Sequence, residues 1–107
     1  MVNESIINTI REYLSELKNN GIFIEKTFLF GSCAKGTSTD QSDIDIMIVS
    51  PLFDDEETRD RLIGKVWHAT KVSDFKIEPH AVGLQRFVED DYSPIIALVK
   101  EEGIEIN

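Results

Sequence analysis

Two aspartates set two residues apart, Asp43 and Asp45, stand at the head of an apolar run, Ile44-Asp45-Ile46-Met47-Ile48-Val49. In an extended segment side chains alternate. Asp43, Asp45, Met47 and Val49 therefore share one face, and Ile44, Ile46 and Ile48 the other. Carboxylates so spaced have Cα atoms about 6–7 Å apart and can aim their oxygens at one point. A divalent cation suits such a pair, since Mg2+ is commonly held by one or two carboxylates, with waters and substrate phosphates filling its shell. Two ions about 3.5–4 Å apart can stabilise the attacking and leaving oxygens of a nucleotidyl transfer. Alone, the same pair also reads as a solvated strand face, although Asp is a poor strand former and the two charges repel.

Upstream, an apolar stretch ends abruptly at Gly31-Ser32. Glycine there lets the backbone approach a ligand closely. The N–H groups of a turn into a helix suit a phosphate, and the Ser32 hydroxyl adds a donor. Lys35 can reach phosphate oxygens as a point charge, or stand as an ordinary surface lysine. Cys33 lies in the same turn with nothing nearby to mark it as activated.

The elements that must position these residues are readable from periodicity. Ile6, Ile7, Ile10, Tyr13, Leu14 and Leu17 recur at helical spacing, and Asn19-Asn20-Gly21 supplies a stop, which predicts a helix over 4–19. Strands are expected at about 25–30 and 43–49, with a short helical turn near 32–35 between them. Leu62, Ile63, Val66 and Trp67 mark a helix over 56–71, entered through the acidic run Asp54-Asp55-Glu56-Glu57, read as a solvated helix start. A third strand is expected over 75–82, at an edge or interrupted, because Pro79 cannot donate to a ladder. Ser93-Pro94 opens a last helix to Gly103, and residues 104–106 are a candidate terminal strand. This order predicts one α/β (α+β) domain over 1–107. It has two layers, a small mixed sheet of three or four strands with helices packed on one face.

Composition narrows the function. At 107 residues with 41% hydrophobic content, one packed core is expected, without a second lobe for substrate recognition. The net charge of −9 argues against direct nucleic-acid binding, which spreads Lys and Arg over a face, and against a basic membrane-surface protein. A bound divalent metal would still let an acidic chain take a nucleotide. The lone Cys33 allows no intrachain disulfide. Met1-Val-Asn-Glu-Ser lacks the pattern of an export signal, and no apolar run is long enough to span a membrane. The expected location is cytoplasmic.

Gly31-Ser32, ten residues, then Asp43-x-Asp45 between apolar strands resembles the signature of the polymerase-β-like nucleotidyltransferase superfamily. The fuller string, Gly-Ser-x-Ala-Lys-Gly followed by Ser42-Asp43-Ile44-Asp45, looks like its minimal, single-domain branch, often paired with a HEPN-type helical protein. The resemblance implies nucleotide binding by Gly31, Ser32, Lys35 and Ser42. It implies metal binding and catalysis by Asp43 and Asp45, completed by a third carboxylate on a later strand. The candidate is Glu78, although many family members have Asp there. Alternation sets Glu78 with Lys76, His80 and Val82, opposite Phe75, Ile77 and Ala81, which suits a site and plain solvent exposure equally. His80 is a candidate base, or a structural strand histidine. The implied activity is transfer of AMP from ATP, with two Mg2+ ions, to a hydroxyl on a HEPN-type toxin, so that the chain acts as the antitoxin of a toxin–antitoxin module. A binding-only antitoxin and a small-molecule (antibiotic) nucleotidyltransferase are the alternatives. A homodimer or a hetero-oligomer fits either.

Overall fold

The computed structural model describes residues 2–106; the first and last residues of the expected 1–107 span lie outside the described residues. The element order is α1 (Glu4–Asn19), β1 (Lys26–Phe30), α2 (Ser32–Lys35), β2 (Ile44–Ser50), α3 (Glu56–His68), β3 (Ile77–Gly83), α4 (Leu84–Glu89), α5 (Pro94–Glu102) and β4 (Ile104–Ile106). Short 3-10 turns, Pro51–Phe53 and Ala69–Ser73, flank α3. The four strands form one mixed sheet in the order β3-β2-β1-β4. β1 runs antiparallel to β2 and β4, and β2 runs parallel to β3. No helix among the described residues is long and apolar enough to cross a membrane.

β2 is central, and both of its faces are buried beyond Asp45. Its even side, Ile44, Ile46 and Ile48, packs with Ile10, Tyr13 and Leu17 of α1 and Leu62 and Val66 of α3. This is the main core. Tyr13 is fully buried there, and its hydroxyl donates to the Val66 carbonyl at 2.9 Å, tying the two helices together. Burial pushes its phenol far above its ordinary pKa. Trp67, expected on the same stripe, is instead 46% exposed.

The mixed α/β architecture is as expected, but the helices are not confined to one face. Met47 and Val49 of β2 and Phe30 of β1 are apolar on the aspartate side and need cover. Phe87 of α4 and Ile96 and Val99 of α5 supply it, and the Phe87 ring stacks on Phe28 at 5.3 Å. That face is therefore divided, with apolar rows under α4 and α5 and the acidic end left open. Pro79 lies on the edge strand β3, where its missing N–H removes no ladder bond.

The acidic run at 54–57 does more than solvate a helix start. Asp55 caps α3, accepting from the Thr58 N–H and hydroxyl at 3.0 and 2.6 Å, which holds its carboxyl below the usual range. Asp54 accepts from the N–H groups of Gln85 and Arg86 at 2.9 and 3.3 Å, so it caps α4, a helix no sequence signal marked. The carboxylate lies so close to Gly83 that any Cβ there would overlap it. Asp54→Ala is expected to lower the unfolding free energy by about 1 kcal/mol. Urea denaturation would read that loss, and amide exchange should rise selectively in residues 85–89.

Candidate functional site

The sheet register builds a row across three strands. Phe30 of β1 pairs with Asp45 of β2, and Asp45 pairs with Glu78 of β3. Gly31 follows Phe30 with φ 74° and ψ −155°, a left-handed-side backbone that turns the chain out of β1 into α2. A Cβ on Gly31 would stand 2.7 Å from Asp45 Oδ2. The bend and the carboxylate are thus in contact, and only glycine permits it on both conformational and steric grounds. Gly36 closes the four-residue helix with a second positive φ, 73°.

The Gly31 carbonyl accepts from the N–H groups of Ala34 and Lys35 at 3.1 and 3.2 Å. The N–H groups of Ser32 and Cys33, in the first turn, have no carbonyl within so short a helix to bond. Cys33 is buried in the main core, and its thiol donates weakly to the Asp43 carbonyl at 3.5 Å. It pins the turn to the entry of β2.

Asp45 has a carboxyl pKa pushed up to about 6. Burial is the largest cause, followed by a hydrogen bond with Glu78, then the charges of Glu78 and Asp43. The two carboxyls across β2 and β3 are close enough to share a proton. His80, two residues past Glu78, faces the same way, with Nε2 4.0 Å from Asp45 Oδ1 and its ring 5.3 Å from that of Phe30. Burial lowers the His80 pKa, only partly opposed by the Glu78 charge, so the imidazole is neutral at neutral pH and forms no ion pair with Asp45. Alternation already set His80 beside Glu78; the structure adds its nearness to Asp45.

Asp43 lies just before β2 and is exposed. Lys35 reaches away to Glu102 of α5, 3.5 Å from its carboxylate. That pair is solvent-exposed, and such pairs contribute about 1 kcal/mol or less, so it is easily exchanged for a phosphate. Ser42 directly precedes Asp43. Its hydroxyl accepts from the Thr39 N–H at 2.9 Å, closing the loop before β2, and it lines a polar cleft of about 420 Å³ with Asp40, Ser73 and Lys76. A more apolar groove of about 490 Å³ is lined by Leu14, Ile22, Phe23 and Ile106. Neither cleft is lined by Asp45 or Glu78.

All the donors in the row are carboxylate oxygens, which suit Mg2+ better than Zn2+. Among the described residues, no three His, Cys, Asp or Glu side chains are arranged to hold a metal unaided. An ion whose shell is completed by phosphates and water needs no such cage, and the crowded Asp45–Glu78 pair gains from a cation.

Residues 7–105 match the nucleotidyltransferase domain family. Among solved structures, a candidate nucleotidyltransferase from Sulfolobus solfataricus is similar, with a TM-score of 0.58 and 19% identity over 94% of this chain and 78% of that one. At that identity the likeness speaks for the fold. No protein with a curated description matches the sequence.

Two outcomes are expected from this geometry. Gly31→Ala meets both the positive φ and Asp45, so it should cost roughly 1–3 kcal/mol in chemical denaturation. The second concerns Asp45, whose folded pKa of about 6 exceeds its ordinary value of 3.8. The folded state then holds the extra proton, and the stability this confers is full below about pH 4 and lost as pH rises through about 6. In metal-free buffer Asp45→Asn should therefore melt above the wild type at pH 7.5, with the gap closing toward pH 4. Added Mg2+ should raise the wild-type melting temperature at pH 7.5 and leave the variant unmoved. Identical melting curves across this pH range would contradict the assignment.

Proposed function

The chain belongs to the nucleotidyltransferase domain family, and on that footing we propose that it moves AMP from ATP to a hydroxyl on a partner protein. The observation carrying this reading is the contact of Gly31 with Asp45, in register with Glu78. A phosphate-binding bend and a carboxylate pair meet at one point.

In this reading Gly31 and Ser32 hold the β- and γ-phosphates through backbone N–H groups and the Ser32 hydroxyl. Lys35, released from Glu102, adds a positive charge. Asp43, Asp45 and Glu78 would hold Mg2+, two ions by the sequence pattern; when bound, Mg2+ neutralises phosphate charge and polarises the phosphoryl oxygens. Glu78, the most exposed carboxylate of the row's two strands, accepts the proton of the attacking hydroxyl. The acceptor oxygen bonds to the α-phosphorus, the α–β anhydride breaks, and pyrophosphate leaves. His80, neutral beside Asp45, is part of the wall rather than the base. Most of the rate gain comes from positioning and charge neutralisation.

Two features favour a macromolecular acceptor. Asp43 and Glu78 are exposed, so the acidic end is accessible to a large acceptor. The charge of −9 draws a basic partner. A HEPN-type helical toxin is the proposed partner, with the chain acting as its antitoxin in the cytoplasm.

Intact-mass spectrometry of a co-expressed partner should show added AMP only with ATP and Mg2+, and Asp43→Ala should slow the addition by at least about a hundredfold. Neutralisation of the partner by Asp43→Ala, without modification, would point to occlusion instead. Labelling of an aminoglycoside without any partner would point to small-molecule transfer.

A further inference from the structure

The strand that carries Glu78 is entered through a strained turn. Asp74 and Phe75 both hold left-handed backbone, with φ 55° and 64°. Side chains of these types adopt that conformation at a cost, which rarely persists unless the surroundings enforce it. Here they do. The N–H groups of Asp74, Phe75 and Lys76 donate to the carbonyls of Lys71, Thr70 and Ser73 at 3.1, 3.1 and 3.2 Å. The Ser73 hydroxyl donates to the Thr70 carbonyl at 2.6 Å and accepts from the Ile77 N–H at 3.0 Å. Extended backbone would have turned Phe75 to the core side with Ile77. The turn leaves it 72% exposed.

The chemistry says what this position faces. From β1 to β3 the row runs from the phosphate bend, through Asp45, to Glu78 on the edge strand. In phosphoryl and nucleotidyl transfer the attacking and leaving oxygens are roughly in line through phosphorus. With pyrophosphate on the Gly31-Ser32 side, the hydroxyl enters from the β3 side. Phe75 lies at the entry of that strand, three residues before Glu78 and next to Lys76, whose carbonyl accepts from the Ile44 N–H at 2.8 Å. The carboxylates of Asp40, Asp43, Asp74 and Glu78 belong to this end of the sheet, while the Lys76 ammonium is engaged by the Asp40 carbonyl at 3.3 Å. An exposed aromatic ring at an acidic end of the sheet favours a guanidinium or ammonium over it.

We propose that Phe75 docks the acceptor, receiving an Arg- or Lys-bearing polypeptide segment that carries the attacking hydroxyl. This rests on the transferase reading above. The strain is kept because it holds the ring outside the core.

Three full-length proteins test it: wild type, Phe75→Gly and Phe75→Tyr. The probes are a fluorescent random Lys–Tyr copolymer, followed by anisotropy, and ATP with Mg2+, followed by calorimetry. Phe75→Gly should weaken copolymer binding roughly five- to thirtyfold, with ATP affinity within about twofold of wild type. Its unfolding midpoint should rise, because glycine takes positive φ freely. Phe75→Tyr should restore binding. Equal copolymer binding by wild type and Phe75→Gly overturns the proposal, as does no binding by the wild type. A parallel loss of ATP affinity in Phe75→Gly also overturns it, making Phe75 a nucleotide contact. Failure of the wild type to bind ATP would instead remove the transferase reading, leaving the docking role to be judged by the copolymer alone.

Discussion

Like charges held in register dominate this structure. Parallel pairing of β2 with β3 sets Asp45 opposite Glu78, and antiparallel pairing of β1 with β2 brings Gly31 against the Asp45 carboxylate. Carboxylates directly opposite on neighbouring strands repel, and partial burial sharpens the repulsion. The nearby His80 imidazole does not relieve it, being kept neutral by burial. The acidic end is therefore a local cost that the rest of the sheet must carry.

The sheet carries it by being well buried everywhere else. β2 has Ile44, Ile46 and Ile48 under α1 and α3, and Met47 and Val49 under α4 and α5. A strand covered on both faces keeps its register firmly, because a slip of one residue would exchange Asp45 for an isoleucine. The same cover explains the position of the opening. α4 and α5 reach over the apolar rows and stop short of Asp45, and Asp54 holds the start of α4 in place. Stability and access are thus divided along one strand.

Much of this was legible in the residues. The helical stripe from Ile6 to Leu17, the bend at Gly31-Ser32 and the alternation around Asp45 are local patterns, and each produced the element expected. Pro79 announced an edge strand for the same reason. What escaped was set by distant contacts. α4 depends on a cap from Asp54, about thirty residues earlier in the chain. Phe75 read as a strand residue on the apolar face because its type and spacing fit one, yet hydrogen bonds to the carbonyls of Thr70 and Ser73 hold a left-handed turn. Ser42 follows the motif in sequence, and its hydroxyl also closes the loop before β2, a contact the motif did not announce. Lys35 shows no local sign of its pairing with Glu102, which tertiary packing alone creates.

The open acidic end and the net charge of −9 bear on one question, how a chain this small selects what it meets. An enzyme with a deep pocket discriminates by enclosure, leaving the wrong ligand with unpaired polar groups. In the proposed reading, discrimination comes from a surface brought by the other molecule. Long-range attraction then steers an oppositely charged partner, and short-range contacts at the sheet edge orient it. Such a division also suits the Asp45–Glu78 pair. Without a cation, the two carboxyls can share a proton and lessen their repulsion. In the proposed reading, the same crowding favours the positive charge of a bound cation. The feature that weakens the fold would then be the one that gives it affinity for that cation.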